Sequence, residues 1–191
     1  MNYHSDEPQP FSWAELIRYK AEGRFLDGYP DEYRTFWAPA DDLHSLLRDL
    51  IASAQHSIVV NMFGFTDETL MSLLQEKLAT PSVYVQISLD RSQARGKTEA
   101  ALLAEYLNNA EGNSVAIGTS EKLAISHLKV VIVDGVYTIT GSTNWSLSGE
   151  RKQDNQLTLS RNAVVAAETR AVLDRNHDFM LKQMAKHPAT V

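Results

Sequence analysis

The sequence predicts an α/β fold: a mixed, largely parallel β-sheet flanked by helices. Three observations carry this. Between Arg34 and Ile117, short apolar or β-branched runs alternate with stretches of helical periodicity, the β-α-β order that builds parallel strands. The pattern then switches to a hairpin around Asp134-Gly135, a pair that tolerates positive φ. Finally, 191 residues with 43% hydrophobic and 22% charged side chains suffice for one buried core.

The elements follow in order. Residues 1–32 read as an N-terminal extension, polar at first, with a capping box at Ser12-Trp13-Ala14-Glu15 opening a short helix to about Glu22. A main domain spans 33–191. It begins with a strand at Arg34–Trp37, stopped by Pro39. Asp41 or Asp42 caps a helix to Ala54 whose leucines recur at helical spacing. Ser57–Phe63 is a buried strand. Thr66 caps a helix through Ala79, Val83–Leu89 is a strand, and a helix is expected from about Thr98 to Asn108. Val115–Ile117 is a short strand, the hairpin uses Leu128–Val133 and Val136–Thr140, and Asn155–Leu159 is a last strand before a long helix from Ala163 to about Lys186.

Composition bounds the function. With no cysteine, thiolate nucleophiles, disulfides and Cys-ligated metals are excluded. No apolar run approaches the roughly 20 residues of a membrane span, and MNYHSDEPQP lacks the features of a secretory signal. A soluble, cytoplasmic protein without stable membrane insertion is expected. The net charge of −6 disfavours unspecific binding to a polyanion. That acidity is mostly N-terminal: residues 1–50 hold ten acids and five bases, residues 51–191 fourteen and thirteen. Arg91, Arg95 and Lys97 form one basic cluster, and Arg151 and Lys152 another.

The chemistry concentrates between Ser126 and Trp145. If Val133 faces Val136, then Lys129 faces Thr140 and His127 faces Ser142, with Asn144 diagonal to the imidazole. One sheet face then carries an imidazole, an ammonium, a hydroxyl and a carboxamide. Packing does not call for such a group, and a phosphate site does. Asp134 and Gly135 need no reason beyond the turn, and Gly141 is expected to permit close backbone approach or a bulge. Trp145 is a candidate for stacking on a base, or equally a core aromatic. The remaining histidines, His44 among them, show no metal-ligand spacing, so no catalytic metal and no cofactor are expected.

His127-x-Lys129-x₄-Asp134, followed after six residues by Gly141-Ser142-x-Asn144, resembles the HKD motif of the phospholipase D superfamily. Six such identities at fixed spacing would arise by chance on the order of 10⁻⁶ times per chain. The resemblance covers about residues 33–185. The motif occurs once, so the chain looks more like the single-motif, nuclease-like branch, which contains metal-independent nucleases that work as homodimers. Where the family often has Glu-Asn, this chain has Asp154-Asn155.

Phosphodiester cleavage needs a nucleophile, a proton donor and positive charge around the phosphoryl oxygens. His127 is suited to be the nucleophile, Lys129 to neutralise the oxygens, and Ser142 and Asn144 to donate hydrogen bonds. Asp154 is expected to hold the other ring nitrogen. Arg151, Lys152 and Trp145 are the candidate substrate-binding residues. One chain lacks the acid, which a two-fold axis would supply as a second His127. The expected function is a metal-independent endonuclease on DNA or RNA, acting through a phosphohistidine in a homodimer. A lipid phosphodiesterase similar to cardiolipin hydrolases, or a non-catalytic nucleic-acid-binding module, are the alternatives.

Overall fold

The computed structural model describes residues 7–93 and 112–186. Seven strands form one mixed sheet: β1 (Tyr33–Ala38), β2 (Ser57–Met62), β3 (Tyr84–Asp90), β4 (Ser114–Gly118), β5 (Lys129–Val133), β6 (Tyr137–Gly141) and β7 (Asn155–Arg161), in spatial order β1-β7-β6-β5-β2-β3-β4. The described helices are a 3₁₀ helix (Trp13–Tyr19), α1 (Leu43–Ala52), α2 (Glu68–Leu78), α3 (Leu147–Arg151) and α4 (Ala163–Lys186). The helix expected near residues 98–108, with Arg95 and Lys97, lies outside the described residues.

The parallel part of the sheet is narrower than the alternation suggests. Only β2-β3 and β3-β4 pair in parallel. β5 joins β2 antiparallel, and β6, β7 and β1 continue antiparallel outwards. The reason is the first strand. Instead of neighbouring β2 it crosses to the far edge and pairs with β7, so its helical connection does not close a parallel pair.

Alternation along each strand separates two cores. Val60, Ile87, Val131, Val133, Ile139, Leu157 and Phe36 face the side covered by α1, α2 and the 3₁₀ helix. Val59, Val130 and Ile132 face Ala166 and Leu173 of α4. β5 is buried along its whole length, as expected for a strand covered on both faces. On the α4 side His177 bridges the hydroxyls of Ser88 (2.8 Å) and Ser114 (2.7 Å), and burial pushes its pKa down.

Local starts and stops differ in physically informative ways. The first helical segment is 3₁₀ and ends at Tyr19, and Ser12 makes no side-chain cap. Its Leu16 and Tyr19 are buried in the larger core. Asp42 caps α1 through the Ser45 amide. Asp67, rather than Thr66, caps α2 through Leu70. The short α3, capped by Ser146, is absent from the sequence reading because five residues are too few to show a period.

The hairpin register is one residue away from expectation. Val133 pairs with Tyr137 and Val130 with Thr140. The Val136 amide does donate to the Val133 carbonyl (3.1 Å), closing the expected turn with Asp134 (φ 52°) and Gly135 (φ 65°). Val136 then stays unpaired as a bulge, and the ladder begins one residue later. Extended along the strands, this register sets His127 opposite Thr143, so Ser142 is not opposite His127.

Asp134 has a structural task. Its carboxylate accepts from the amides of Gln55, His56 and Ser57, at 2.8 Å for His56, pinning the α1–β2 loop to the hairpin tip. It lies five residues from Lys129, roughly 17 Å along the strand. Asp134→Ala is expected to lower stability by about 1–3 kcal/mol, read by urea unfolding, while kinetic constants per folded molecule stay at the wild-type level.

Candidate active site

One end of the sheet gathers His127, Lys129 and Asn144. The pairings Ala38–Asn155, Met62–Lys129, Met62–Leu89, Asp90–Gly118 and Gly141–Leu157 place the ends of β1, β2, β3, β4 and β6 beside the starts of β5 and β7. It is the carboxyl end of the parallel strands, where open α/β sheets place their ligand crevices.

The loop after β2 joins the two halves of the motif. The Phe63 amide donates to the Leu128 carbonyl (2.9 Å), and the Trp145 amide donates to the Gly64 carbonyl (2.9 Å). Thr66 and Asp67 then donate to the Trp145 carbonyl at 2.7 and 3.1 Å. Residues 127–129 and 144–145 are thereby fixed on either side of one short segment. Gly64 matters for space: a Cβ there would stand 3.0 Å from Asn144 Cγ, so glycine lets the carboxamide lie against the backbone.

His127 precedes β5 and is exposed. It is held from before and behind. The buried Asp90 carboxylate accepts the Ser126 amide (2.5 Å), and Ser126 Oγ donates to Asn61 Oδ1 (3.1 Å). The imidazole packs against the Phe63 ring at 4.7 Å between centroids. Lys129, two residues on, is only 6% exposed. Its Nζ donates to the His127 carbonyl (3.0 Å) and sits 4.9 Å from the Phe63 centroid. Burial pulls its pKa below the ordinary lysine value. Among the described residues no carboxylate lies within ion-pair distance of it. Asn144 Oδ1 is likewise buried and without a hydrogen-bond partner.

Other expected members stand elsewhere. Ser142 Oγ donates to Asn155 Oδ1 (2.8 Å) and accepts the Gln156 amide (3.1 Å). Its proton is spent on the β6–β7 junction, so it shapes the loop that carries Asn144. Gly141 packs so tightly that a Cβ would collide with the Gln156 carbonyl, which is the close approach expected of it. Asp154 is exposed and makes no hydrogen bond to His127 among the described residues; β7 begins one residue later and turns that side chain to solvent. Trp145 is 2% exposed and meets Phe65 edge-to-face at 5.2 Å. It is a core residue, with no free face for a base. Arg151, Lys152 and Arg91 are exposed at this end of the molecule.

Sequence reasoning missed a buried triad behind the Asn144 loop. His44 Nδ1 lies 2.6 Å from Glu150 Oε2 and 3.2 Å from Asp67 Oδ2, linking α1, the cap of α2, and α3. These three offer donors in the manner of a metal site, but 2.6 Å is a hydrogen bond, shorter than the separation of two ligands each about 2.0 Å from a tetrahedral ion. Burial opposes charge on His44, yet the hydrogen bonds to Asp67 and Glu150 outweigh it and raise its pKa to about 9. Burial raises Glu150 to about 7, partly offset by His44. Burial also works against the Asp67 charge, but the bonds from His44 and Leu70 hold its pKa below the usual range. His44 and Glu150 are 106 residues apart, and the only local signal was the α2 cap.

Comparison with known proteins follows from this geometry. The family model described as "Cardiolipin synthase, PLD-like domain" matches residues 47–176. The chain belongs to the phospholipase D superfamily. A curated phospholipase D of Rickettsia bellii is 26% identical over 132 residues, 69% of this chain and 62% of that protein. The chain thus spans under two thirds of that relative's length. Among solved structures, the phospholipase D family member Nuc of Salmonella typhimurium superposes with a TM-score of 0.63 at 24% identity, over 75% of this chain and 92% of Nuc. NucT of Helicobacter pylori gives 0.66 at 21% identity, over 79% and 96%. These likenesses establish the shared fold. Among the described residues no helix is long and apolar enough to cross a membrane.

The triad yields a pH prediction. A histidine raised from about 6.5 to about 9 stabilises the fold fully below the unfolded value, and that stability is lost as pH rises through about 9. The Tm gap between wild type and His44→Gln should therefore be widest near pH 6 and close by about pH 10.

Proposed function

We propose that the protein is a metal-independent endonuclease that cleaves DNA or RNA through a phosphohistidine, with its complete site formed in a homodimer. One observation carries this reading: a buried ammonium, Lys129, with no carboxylate counter-charge among the described residues, beside the exposed imidazole of His127. Burying an unpaired cation is costly, and the cost is recovered when an anionic phosphodiester arrives.

In this reading His127 attacks phosphorus, forming a P–N bond as the P–O bond to the leaving group breaks. Lys129 and Asn144 hold the non-bridging oxygens as charge builds there. The partner's His127, protonated, gives its proton to the leaving oxygen. It then takes a proton from the water that hydrolyses the phosphohistidine, returning both rings to their starting states. One ring must be neutral and the other charged, so the pair titrates as a unit and the rate is bell-shaped in pH.

Leu123, Ile125, Leu128 and Leu147 are exposed at this same end, which suits a face covered by a second copy. The same four side chains also suit a second reading, a lipid phosphodiesterase seated on a bilayer surface, in keeping with the name of the Rickettsia bellii relative. The exposed Arg91, Arg151 and Lys152 favour a polyanionic substrate in either case.

Incubation with labelled single- and double-stranded DNA and RNA in EDTA should give cleavage that falls steeply with salt. His127→Ala should lose activity by roughly 10³-fold or more, and Lys129→Met by about 10²–10³-fold. Wild type quenched in mid-turnover should carry an acid-labile phosphate. Release of phosphatidic acid from phosphatidylcholine–cardiolipin vesicles, with every nucleic acid left intact, would replace the nuclease reading with the lipid one.

A further inference from the structure

We infer that Glu150 is a positioning residue for the reaction: its bond to His44 keeps closed the slot in which Asn144 is held. This rests on the proposed function, in which the Asn144 carboxamide holds a phosphoryl oxygen. The slot has two walls, each a glycine. On one side the carboxamide lies against Gly64, where a Cβ would stand 3.0 Å from Asn144 Cγ and 3.3 Å from Nδ2. On the other side Gly149 of α3 packs on the Asn144 main chain, where a Cβ would come within 2.6 Å of the carbonyl oxygen. Neither wall has room for a side chain. Each is followed in sequence by a buried carboxylate, Asp67 after Gly64 and Glu150 after Gly149. One nitrogen, His44 Nδ1, meets both, at 3.2 Å for Asp67 and 2.6 Å for Glu150.

The two walls are secured differently. The Gly64 side is sewn to the motif loop by main-chain bonds, from Trp145 to Gly64 and from Thr66 and Asp67 back to Trp145. The α3 side has little to hold it. Of its five residues only Gly149 and Glu150 are buried, so no apolar side chain of α3 is sealed in the core. The Glu150 carboxylate is therefore what fastens this helix to the rest of the fold. It does so through Oε2 alone, since Oε1 is buried without a hydrogen-bond partner. His44 is a firm support, because it stands on α1, whose Leu43, Leu46, Leu47, Leu50 and Ile51 are fully buried. Its proton also lets the two acids stand close. Burial first, and the Asp67 charge after it, push the Glu150 pKa up, so without the imidazole the carboxylates would repel and α3 would move away from Gly64. A buried ion cluster often contributes nothing that apolar side chains could not replace. This one differs because both acids ride on the walls that enclose Asn144.

The test is a double-mutant cycle in full-length protein, Glu150→Ala with Asn144→Ala, read as cleavage of a labelled oligonucleotide per folded molecule. Glu150→Ala should lower kcat by about 10- to 100-fold, with KM within about twofold of wild type. Glu150→Gln, which keeps an acceptor for the His44 N–H, should recover most of the loss. Asn144→Ala should cost roughly 100-fold or more, and in that background Glu150→Ala should cost nothing further. Wild-type kcat in Glu150→Ala, whatever its Tm, would overturn the inference and leave the triad a matter of stability. Losses that multiply in the double variant would also overturn it, since Glu150 would then act by a route other than Asn144. If Glu150→Ala does not fold, Glu150→Asp, which keeps the charge and shortens the arm by one methylene, goes through the same cycle with the same two outcomes. Cleavage of phosphatidylcholine–cardiolipin vesicles with every oligonucleotide left intact would remove the nuclease reading alone, and the cycle is then read on vesicles. Failure of wild type to cleave either substrate would end both.

Discussion

The site depends on the short segment that follows β2. Phe63 and Gly64 offer an amide to one half of the motif and a carbonyl to the other. Without those two hydrogen bonds, the loop carrying His127 and the loop carrying Asn144 would have no common frame. They belong to different strand ends, and β5–β6 pairing stops at Val130–Thr140, short of both. The same segment supplies the Phe63 ring, which touches the imidazole and lies under the ammonium. Geometry and electrostatics thus share one support. A catalytic constellation needs its groups held within a fraction of an ångström, and backbone hydrogen bonds to a sheet end achieve that more firmly than loop side chains could.

Behind this frame the protein places polar groups where a core would ordinarily be apolar. Asp90 and Asn61 hold Ser126, and Asp67 at the α2 cap meets His44 and Glu150 beneath the Asn144 loop. Most of these groups are buried and satisfied, so each can take only one arrangement. Two atoms of this layer, Asn61 Nδ2 and Glu150 Oε1, have no hydrogen-bond partner among the described residues. Lys129 has no carboxylate partner among the described residues, and Asn144 Oδ1 has no hydrogen-bond partner. Of these, the buried ammonium is the group that an anion would satisfy, whereas Asn144 Oδ1 is an acceptor and leaves only the Nδ2 side of that carboxamide to donate.

Much of this was readable beforehand. The strands carry apolar runs dense enough to declare themselves, and α4 runs from Ala163 to Lys186 because its boundaries are set by local propensity. The motif residues pointed to a candidate phosphate site by their types and spacing. The register failed because Asp134-Gly135 chooses the turn but not whether Val136 pairs after it. Asp154 failed because its distance from His127 depends on where β7 begins. Trp145 and Trp37 have the same side chain, and nothing local tells which one is buried.

By itself, the sequence determined the strands and the longer described helices, and marked an imidazole, an ammonium and a carboxamide as candidates for one chemistry. These follow from local periodicity and residue type, which act over a few neighbours. Only the tertiary structure decided which strands are parallel, which tryptophan faces solvent, and that His44, Asp67 and Glu150 meet. Those outcomes depend on contacts between distant residues, 106 positions apart for His44 and Glu150 and more than that for the pairing of β1 with β7, and such contacts form only where chain crossover and packing bring the elements together.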